Sequence, residues 1–323
     1  MDINQLRTLI HVAELGSLSK AADRLHIAQP ALSRQIRLLE DELETRLFDR
    51  HGRGMIVTEA GQDVLRHALR IMAEMEEIRA VVSDENAPLR GHVSIGMPPT
   101  ASDILSEPLV SAFREAHPEA TLRIVSAYSG YLLDWLHRGE VDAAILYDPK
   151  SARTLRIRPL LDETLFLISP PGAGLSPDSR VDFAQLEHQR LLLPSRGHGL
   201  REIVERCAQE RGFALDIKVE ADSYATLKGL VRSGHGMTVL PLAPIHEELR
   251  EGRLCAAPLV EPVPTRRLVM AFPMDRPTSR LARFAGQVIT TTIESLVAQG
   301  IWSGRIPDQD VPTETIRSDR KPA

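Results

Sequence analysis

Short helical patterns follow one another through residues 1–58, and they restrict the fold of this chain more than any other feature. Apolar residues recur at helical spacing in two successive segments: Leu6, Leu9, Ile10 and Ala13, then Ala21, Ala22 and Leu25. Gly16 predicts the end of the first helix, because glycine adopts the left-handed conformation of a helix C-cap at little cost. Ser17 or Ser19 can then cap the second helix through its hydroxyl. The segment is therefore predicted to be a compact all-α unit.

The third helix of this unit is predicted to have one apolar and one polar face. Gln29 lies at the predicted cap position and Pro30 at N1, where the missing N–H costs nothing, and the pattern continues to about Leu47. At about 100° per residue, the two faces separate into Leu32, Ile36 and Leu39 on one side and Ser33, Arg34 and Arg37 on the other. Such a helix can present guanidinium and hydroxyl donors to the major groove of DNA. The alternative is that the two arginines only solvate an exposed helix face.

Charge supports DNA binding by its placement and not by its amount. The chain has a formal net charge of -5, and residues 1–58 contain as many acidic as basic side chains. Counterion release on DNA needs a basic face and does not need a basic total. Ser19 and Lys20 at the second helix add to the predicted DNA-contacting set. Arg50 and Arg53 form a short basic turn that is typical of a wing over the minor groove.

A strict heptad pattern fills residues 59–87. Apolar residues alternate at intervals of four and three, at Val64, Ala68, Ile71, Met75, Ile78 and Val82. This seam is typical of helices that pair in a coiled coil, and it predicts a dimerisation helix. The alternative is a helix that folds back on its own chain. Pro88 ends the pattern and predicts a hinge that reaches to about Gly91.

Strands alternate with helices in residues 88–303, which is typical of βαβ units around a parallel sheet. The predicted strands are His92–Gly96, Thr121–Ser126, Asp142–Tyr147, Leu165–Ser169, Leu191–Leu193, Asp216–Glu220, Met237–Leu240 and Leu268–Phe272. About 200 residues exceed what one small α/β unit needs, so we expect two lobes.

The boundaries of the two lobes can be placed approximately. The first lobe is expected to comprise residues 91–162 and 268–303, and the second lobe residues 163–267, with the connections near Leu161–Thr164 and Arg266–Val269. Residues 304–323 are polar and rich in proline, and they predict a disordered tail.

The helical unit carries a run that resembles the signature of LysR-type transcriptional regulators. From Ala21 to Glu40 the chain reads AADRLHIAQPALSRQIRLLE, and the runs Leu47–Arg50 and Val57–Gly61 match the same family. The resemblance implies an all-α winged helix-turn-helix domain (1–58), a long linker helix (59–87) and an α/β two-lobed effector domain similar to periplasmic binding proteins (88–303). It also implies sequence-specific binding of two-fold promoter sites by a homodimer or homotetramer.

The resemblance assigns roles to some residues of the predicted DNA-contacting set. The positions that match family residues close to bases and backbone are Gln29, Pro30, Ser33 and Arg34, and Arg53 matches the wing. Arg37 is added from the geometry of the helix face alone. Trp135–Glu140 and Ile145–Asp148 resemble the nitrogen-assimilation-control subgroup, some of whose members work without a small effector.

The family further implies a small molecule bound between the lobes, where helix N-termini and backbone N–H groups favour a polar or anionic ligand. Candidate contacts that follow predicted strands or begin helices are Pro99, Thr100, Ala101, Ser129, Ser195, Arg196 and Tyr224. Each hydroxyl among them can equally be an ordinary N-cap, and Arg196 can be a solvated surface residue. We expect a small-molecule co-inducer and neither a cofactor nor a metal. A regulator that acts without any small effector is the alternative.

Other classes of protein fit the sequence less well. It contains no GxSxG, HExxH, P-loop or GxGxxG motif, so we expect no catalytic site. A solute-binding protein would explain the two lobes but not the helix-turn-helix. The chain shows no signal peptide and no apolar stretch of about 20 residues. These features predict a bacterial cytoplasmic protein whose partners are double-stranded DNA, other copies of itself and RNA polymerase. Cys207 and Cys255 are expected to be reduced thiols.

Overall fold

The computed structural model describes residues 1–51, 54–81, 88–149 and 154–307 of the 323-residue chain. The amino-terminal unit contains α1 (Ile3–Leu15), α2 (Leu18–Leu25), α3 (Gln29–Glu42), β1 (Phe48–His51), β2 (Gly54–Val57) and α4 (Glu59–Val81). The first three helices and the β1–β2 hairpin form a winged helix-turn-helix. The long helix α4 follows it, as the sequence predicts.

Local capping explains where the helices of this unit begin and end. Gly16 ends α1 in the left-handed conformation, with a φ of 60°. Ser17 is the N-cap of α2, and its hydroxyl accepts a backbone N–H from the first turn. The prediction for α3 is wrong by one residue, because Ala28 is its N-cap and Gln29 is already helical. No side chain caps this helix. Pro30 has no N–H, and Ala31 and Leu32 donate to the Ala28 carbonyl, so in the first turn the Gln29 N–H stays available to other acceptors.

Helix α3 is shorter than predicted. It ends at Glu42 and does not reach Leu47. Glu40 Oε1 accepts the backbone N–H groups of Leu47 at 2.8 Å and Phe48 at 3.2 Å, and these bonds turn the chain into the wing. Leu47 is then wholly buried in the core of the helical unit.

Helix α4 packs its first half on the helical unit and exposes apolar residues in its second half. Ala68 is fully buried there, and Val64 packs against the same core. Ile71 and Ile78 are 40% and 65% exposed. The alternative of a helix packed on its own chain therefore holds for the first half of the heptad seam. The predicted dimerisation surface is reduced to the second half, and Val82 lies outside the described residues.

The rest of the chain forms two α/β lobes. Its elements are β3 (Gly91–Met97), α5 (Pro99–Ala116), β4 (Ala120–Ser126), α6 (Ser129–Arg138), β5 (Ala143–Tyr147), β6 (Leu155–Thr164), β7 (Phe166–Ser169), β8 (Val181–Asp182), β9 (Leu191–Leu193), α7 (Gly199–Glu210), β10 (Ile217–Glu220), α8 (Tyr224–Arg232), β11 (Thr238–Leu240), α9 (His246–Arg250), β12 (Cys255–Val260), β13 (Thr265–Pro273), α10 (Arg280–Ala298) and β14 (Gly304–Arg305). Short 3-10 helices lie at Phe183–His188 and Ala243–Ile245.

The sheets of the two lobes are mixed, so the expectation of a parallel sheet holds for β3, β4 and β5 and is wrong for β6 and β13. The first lobe has the strand order β14-β6-β13-β5-β3-β4, in which β4 and β5 run parallel to β3 while β13 is antiparallel to β5 and β6. The second lobe has the order β11-β7-β12-β8 and a separate parallel pair, β9 and β10. The reason is topological, because β6 carries the chain into the second lobe and β13 carries it back alongside.

The two connections between the lobes are therefore paired strands. Thr164 lies opposite Thr265 and Leu161 opposite Leu268, where the sequence predicts the crossings. The sequence did not predict β6 as a strand, because Pro159 interrupts its pattern. This proline pairs with Val269 where the register shifts, a position that tolerates a missing N–H.

Ordered structure continues beyond the predicted boundary at residue 303. Gly304–Arg305 pairs with β6, and the indole of Trp302 is 1% exposed. The expectation of a disordered tail from residue 304 is wrong for its first residues, because Gly304 and Arg305 pair with β6. Residues 308–323 lie outside the described part of the chain.

Candidate DNA-contacting face and interlobe cleft

One exposed face of the helical unit collects residues predicted to contact DNA. Gln29 and Pro30 are exposed in the first turn of α3, and Arg34 and Arg37 are exposed further along the helix. Ser33 is half-buried between them. Among the described residues, no hydrogen bond or ion pair engages the side chain of either arginine. Both guanidinium groups are therefore available to phosphates or to base edges.

The start of α2 lies next to the start of α3. Ser19 and Lys20 are exposed in the first turn of α2, and Ser19 Oγ donates to Gln29 Oε1 at 3.3 Å. Two helix N-termini therefore open on the same side of the unit. Their free N–H groups and positive dipole ends favour a phosphate.

The wing is fixed against the first helix. The Met55 N–H donates to the Gly16 carbonyl at 2.8 Å. Gly54 has a φ of 139°, and a Cβ there would lie 2.4 Å from the Gly16 carbonyl oxygen, so glycine is required. Arg50 pairs with Met55 in the hairpin, and Arg53 lies outside the described residues.

A buried charged network lies where β6 and β13 cross between the lobes. Arg266 is 5% exposed and forms an ion pair with Glu163, which is fully buried. Arg266 also donates to the Tyr147 hydroxyl at 2.9 Å, and its Cζ lies 3.6 Å from the centre of that ring. Thr100 Oγ1 is 3.0 Å from the same hydroxyl.

Burial and charge act in opposite directions on this network. Burial has the largest single effect on the pKa of Arg266 and lowers it, but Glu163, Tyr147 and Asp148 together outweigh burial and the pKa is raised. Burial raises the pKa of Tyr147, which therefore keeps its proton. The network joins the two crossing strands to the first turn of α5.

The first turns of four helices meet at the boundary between the lobes. Thr100 lies at the start of α5, and Ser129, the first residue of α6, accepts the Tyr147 N–H at 3.0 Å. In the second lobe α7 begins in the loop after β9, and Tyr224 begins α8, where burial first and then the nearby Asp103 carboxylate of α5 raise the pKa of the Tyr224 hydroxyl. Because helix N-termini favour negative charge, this arrangement is chemically appropriate for a small anion.

Side chains of both lobes touch beside these helix ends. Asp222 Oδ1 accepts the backbone N–H of Ser195 at 2.9 Å and its hydroxyl at 2.7 Å. These bonds hold the pKa of the Asp222 carboxyl below its ordinary value. Tyr128 of the first lobe donates its hydroxyl to the Asp222 carbonyl and meets the His198 ring edge-to-face at 5.0 Å. Burial chiefly lowers the pKa of His198.

The remaining predicted effector contacts lie in different surroundings. Ala101 is fully buried in the core of the first lobe, so its side chain offers no surface to an effector. Pro99 is half-buried at the start of α5. Arg196 is exposed and, together with Arg201, lines a separate cavity of about 370 Å³ between α7 and β10. Among the described contacts, none joins Arg196 to the groups that connect the lobes.

The sequence did not point to most of the side chains that join the lobes, namely Glu163, Arg266, Tyr147, Tyr128 and Asp222. One signal was available, because Arg266 lies two residues before the apolar run Leu268–Phe272, and a charge that a strand carries into the interior needs a partner. The partner is 103 residues away along the chain, and no local pattern identifies it.

Both parts of the chain match known proteins. Residues 3–62 match the bacterial regulatory helix-turn-helix protein, lysR family, and residues 86–308 match the LysR substrate binding domain. The nitrogen assimilation regulatory protein nac of Klebsiella aerogenes is 35% identical over 75% of this chain and 78% of its own length. The hydrogen peroxide-inducible genes activator of Dickeya chrysanthemi is 32% identical over 87% and 91%. A solved OxyR mutant of Corynebacterium glutamicum has a TM-score of 0.70 at 26% identity, covering 92% of this chain and 94% of that chain.

A winged helix-turn-helix with an exposed basic face, joined by a long helix to two α/β lobes, defines a DNA-binding transcriptional regulator with an effector-binding domain. The chain belongs to the LysR family of such regulators, which confirms the resemblance of its signature run. Nitrogen-assimilation and peroxide-inducible relatives match at similar identity, so membership of the former subgroup stays a prediction. Within the described residues, no helix combines the length and apolarity needed to span a bilayer.

Proposed function

We propose that this regulator binds two-fold promoter sites as a dimer in the bacterial cytoplasm, with α3 in the major groove and the wing over the minor groove. The observation that carries the proposal is the exposed polar face of α3, where Arg34 and Arg37 have no partner among the described residues. Ser33 and Gln29 add polar groups to this face. Assembly into a tetramer and contact with RNA polymerase stay predictions from the family.

Pairing through the second half of α4 supports the dimer. Ile71 and Ile78 are exposed, and Met75 between them is half-buried. A second copy of α4 would remove this apolar seam from water. An isologous pair would then present two α3 helices to one two-fold site.

We infer that the interlobe cleft sets the regulatory state of the protein. Four helix N-termini and the Ser195 donors favour a small polar or anionic effector there. The alternative, regulation without a small effector, has support from the contacts that already join the lobes at Tyr128.

Fluorescence anisotropy with the DNA upstream of the protein's own gene tests the DNA-binding proposal. Arg34→Ala is expected to weaken specific binding by roughly 1–3 kcal/mol, because a guanidinium that reads a base loses its bonds. Arg250→Ala is the matched control, since it removes the same charge from exposed α9. Equal affinities for wild type and Arg34→Ala would exclude base reading by Arg34. Absence of salt-dependent, sequence-selective binding by the wild type would refute the proposal.

A further inference from the structure

We propose that Tyr128, Ser195 and Asp222 form an interlobe latch that closes the two lobes with no effector bound. In this latch the Asp222 carboxylate accepts hydrogen bonds from the Ser195 N–H and hydroxyl. Without Asp222 these two donors would be available to an anionic effector. The regulatory meaning of the latch rests on the proposed function, in which lobe closure controls activity on DNA.

The donors of Ser195 are arranged for an anion and are already occupied. Its backbone N–H and its hydroxyl converge on one atom, Asp222 Oδ1, at 2.9 and 2.7 Å. Hydrogen bonds to an ionised acceptor are about twice as strong as neutral ones. Asp222 lies between β10 and α8, and Ser195 lies between β9 and α7. The carboxylate therefore joins two loops at the cleft edge of the second lobe.

The same residue joins the second lobe to the first. With its side chain fixed by Ser195, Asp222 directs its carbonyl to the Tyr128 hydroxyl. The Tyr128 ring also packs edge-to-face on His198 of the second lobe.

This arrangement defines how an effector can act. A ligand shifts a conformational equilibrium only through contacts that differ between the two states. A carboxylate effector that uses the Ser195 donors must displace Asp222, and it thereby releases the carbonyl that holds Tyr128. Its apparent affinity is reduced by the fraction of molecules in which the latch is closed.

Hydrogen–deuterium exchange of the full chain, followed by mass spectrometry, tests the closure. Tyr128→Phe removes the hydroxyl and keeps the ring, and Asp222→Ala frees the Ser195 donors. Each variant is expected to speed exchange in residues 128–133 of the first lobe about fivefold, the factor that one net hydrogen bond supplies. The double variant should exchange no faster than either single variant, since both break one latch. Asp178→Ala, at an exposed position of the second lobe, is the control.

A thermal-unfolding experiment with sodium formate tests whether Asp222 keeps the Ser195 donors from binding another carboxylate. Formate at about five times its Kd is expected to raise the midpoint of Asp222→Ala by about 2–4 °C. It should leave the wild type and Asp178→Ala unchanged relative to sodium chloride of equal ionic strength. Equal responses of wild type and Asp222→Ala would refute the claim that Asp222 occupies the Ser195 donors.

Faster exchange confined to residues 195–200 and 221–226 in Asp222→Ala would overturn the latch, because the carboxylate would then only connect loops of one lobe. Additive effects of the two substitutions would overturn it as well. Neither readout uses DNA. Loss of DNA binding would therefore refute the proposed function and leave the latch standing, while failure of the latch would leave DNA binding intact.

Discussion

Replacing Arg266 by methionine tests the role of the buried network at the crossing of the lobes. The substitution leaves the fully buried Glu163 with the Trp302 indole N–H at 2.6 Å but without its cation. It also removes the donor to the Tyr147 hydroxyl. Removing one partner of a buried ion pair costs about 3–5 kcal/mol. With about 2–4 °C per kcal/mol for a domain of this size, a loss of about 4 kcal/mol lowers the melting temperature by about 8–16 °C.

Two further variants separate the charge from the packing. Arg266→Met combined with Glu163→Gln removes the whole ion pair while the amide oxygen still accepts from Trp302, so more than half of the lost stability should return. Arg267→Met is the matched control, because Arg267 is the next residue of β13 and pairs with Asp162 at the surface at 2.7 Å. Its cost should stay below about 1 kcal/mol.

Urea denaturation of the full chain gives the measurement, with the fluorescence of Trp135 and Trp302, both in the first lobe, as the probe. The transition assigned to the two lobes should move to lower urea in Arg266→Met and recover in the double variant. A single-variant loss no larger than that of Arg267→Met would refute the reasoning. A double variant no more stable than the single one would also refute it, since the penalty would not then come from an unpaired buried charge.

Self-association, peroxide response and pH dependence provide three further tests. The double variant Ile71→Asp with Ile78→Asp should lower the sedimentation coefficient, because it breaks the exposed apolar seam of α4. Gln62→Asp, on the opposite side of the helix, should leave it unchanged. Unchanged sedimentation of the double variant would contradict the prediction that α4 is a dimerisation helix. Burial raises the pKa of the Cys207 thiol and so disfavours the thiolate, the form that attacks peroxide. Peroxide should therefore change DNA affinity less than about twofold. A large response abolished by Cys207→Ser would contradict this. Burial lowers the pKa of His117, whose Nδ1 accepts the Leu89 N–H at 3.2 Å. The His117 imidazole therefore binds a proton more tightly in the unfolded chain than in the folded protein. The stability that neutral His117 contributes is complete above about pH 6.5, the unfolded value, and declines as the pH falls below it. His117→Gln should flatten that decline in urea titrations, and equal slopes would count against it.

Local chemistry let the sequence predict much of the DNA-binding half. Gly16 and Ser17 act through their own backbone and side-chain geometry, so a helix end and a helix start follow from the residues alone. The two faces of α3 follow from helical periodicity, which needs no knowledge of neighbours. The end of α3 could not be predicted, because the Glu40 side chain turns the chain through bonds to later residues.

Tertiary pairing decided the features that the sequence left open or predicted wrongly. The heptad of α4 is the same pattern whether the helix packs on its own unit or on a second copy, and only the fold shows that Ala68 is buried while Ile78 is exposed. The direction of β13 depends on the path between the lobes. The sequence did not predict β6 because Pro159 interrupts its strand pattern. The shift in register that accommodates this proline exists only when β6 is paired with β13.

The sequence by itself therefore determined the family, the winged helix-turn-helix and the polar face of α3, because each depends on residues close together in the chain. The tertiary structure alone decided which side chains join the two lobes. Glu163 meets Arg266, and Tyr128 meets Asp222, across 103 and 94 residues of sequence. Burial and hydrogen bonding give these side chains their roles, and both arise only when β6 and β13 bring the two lobes together.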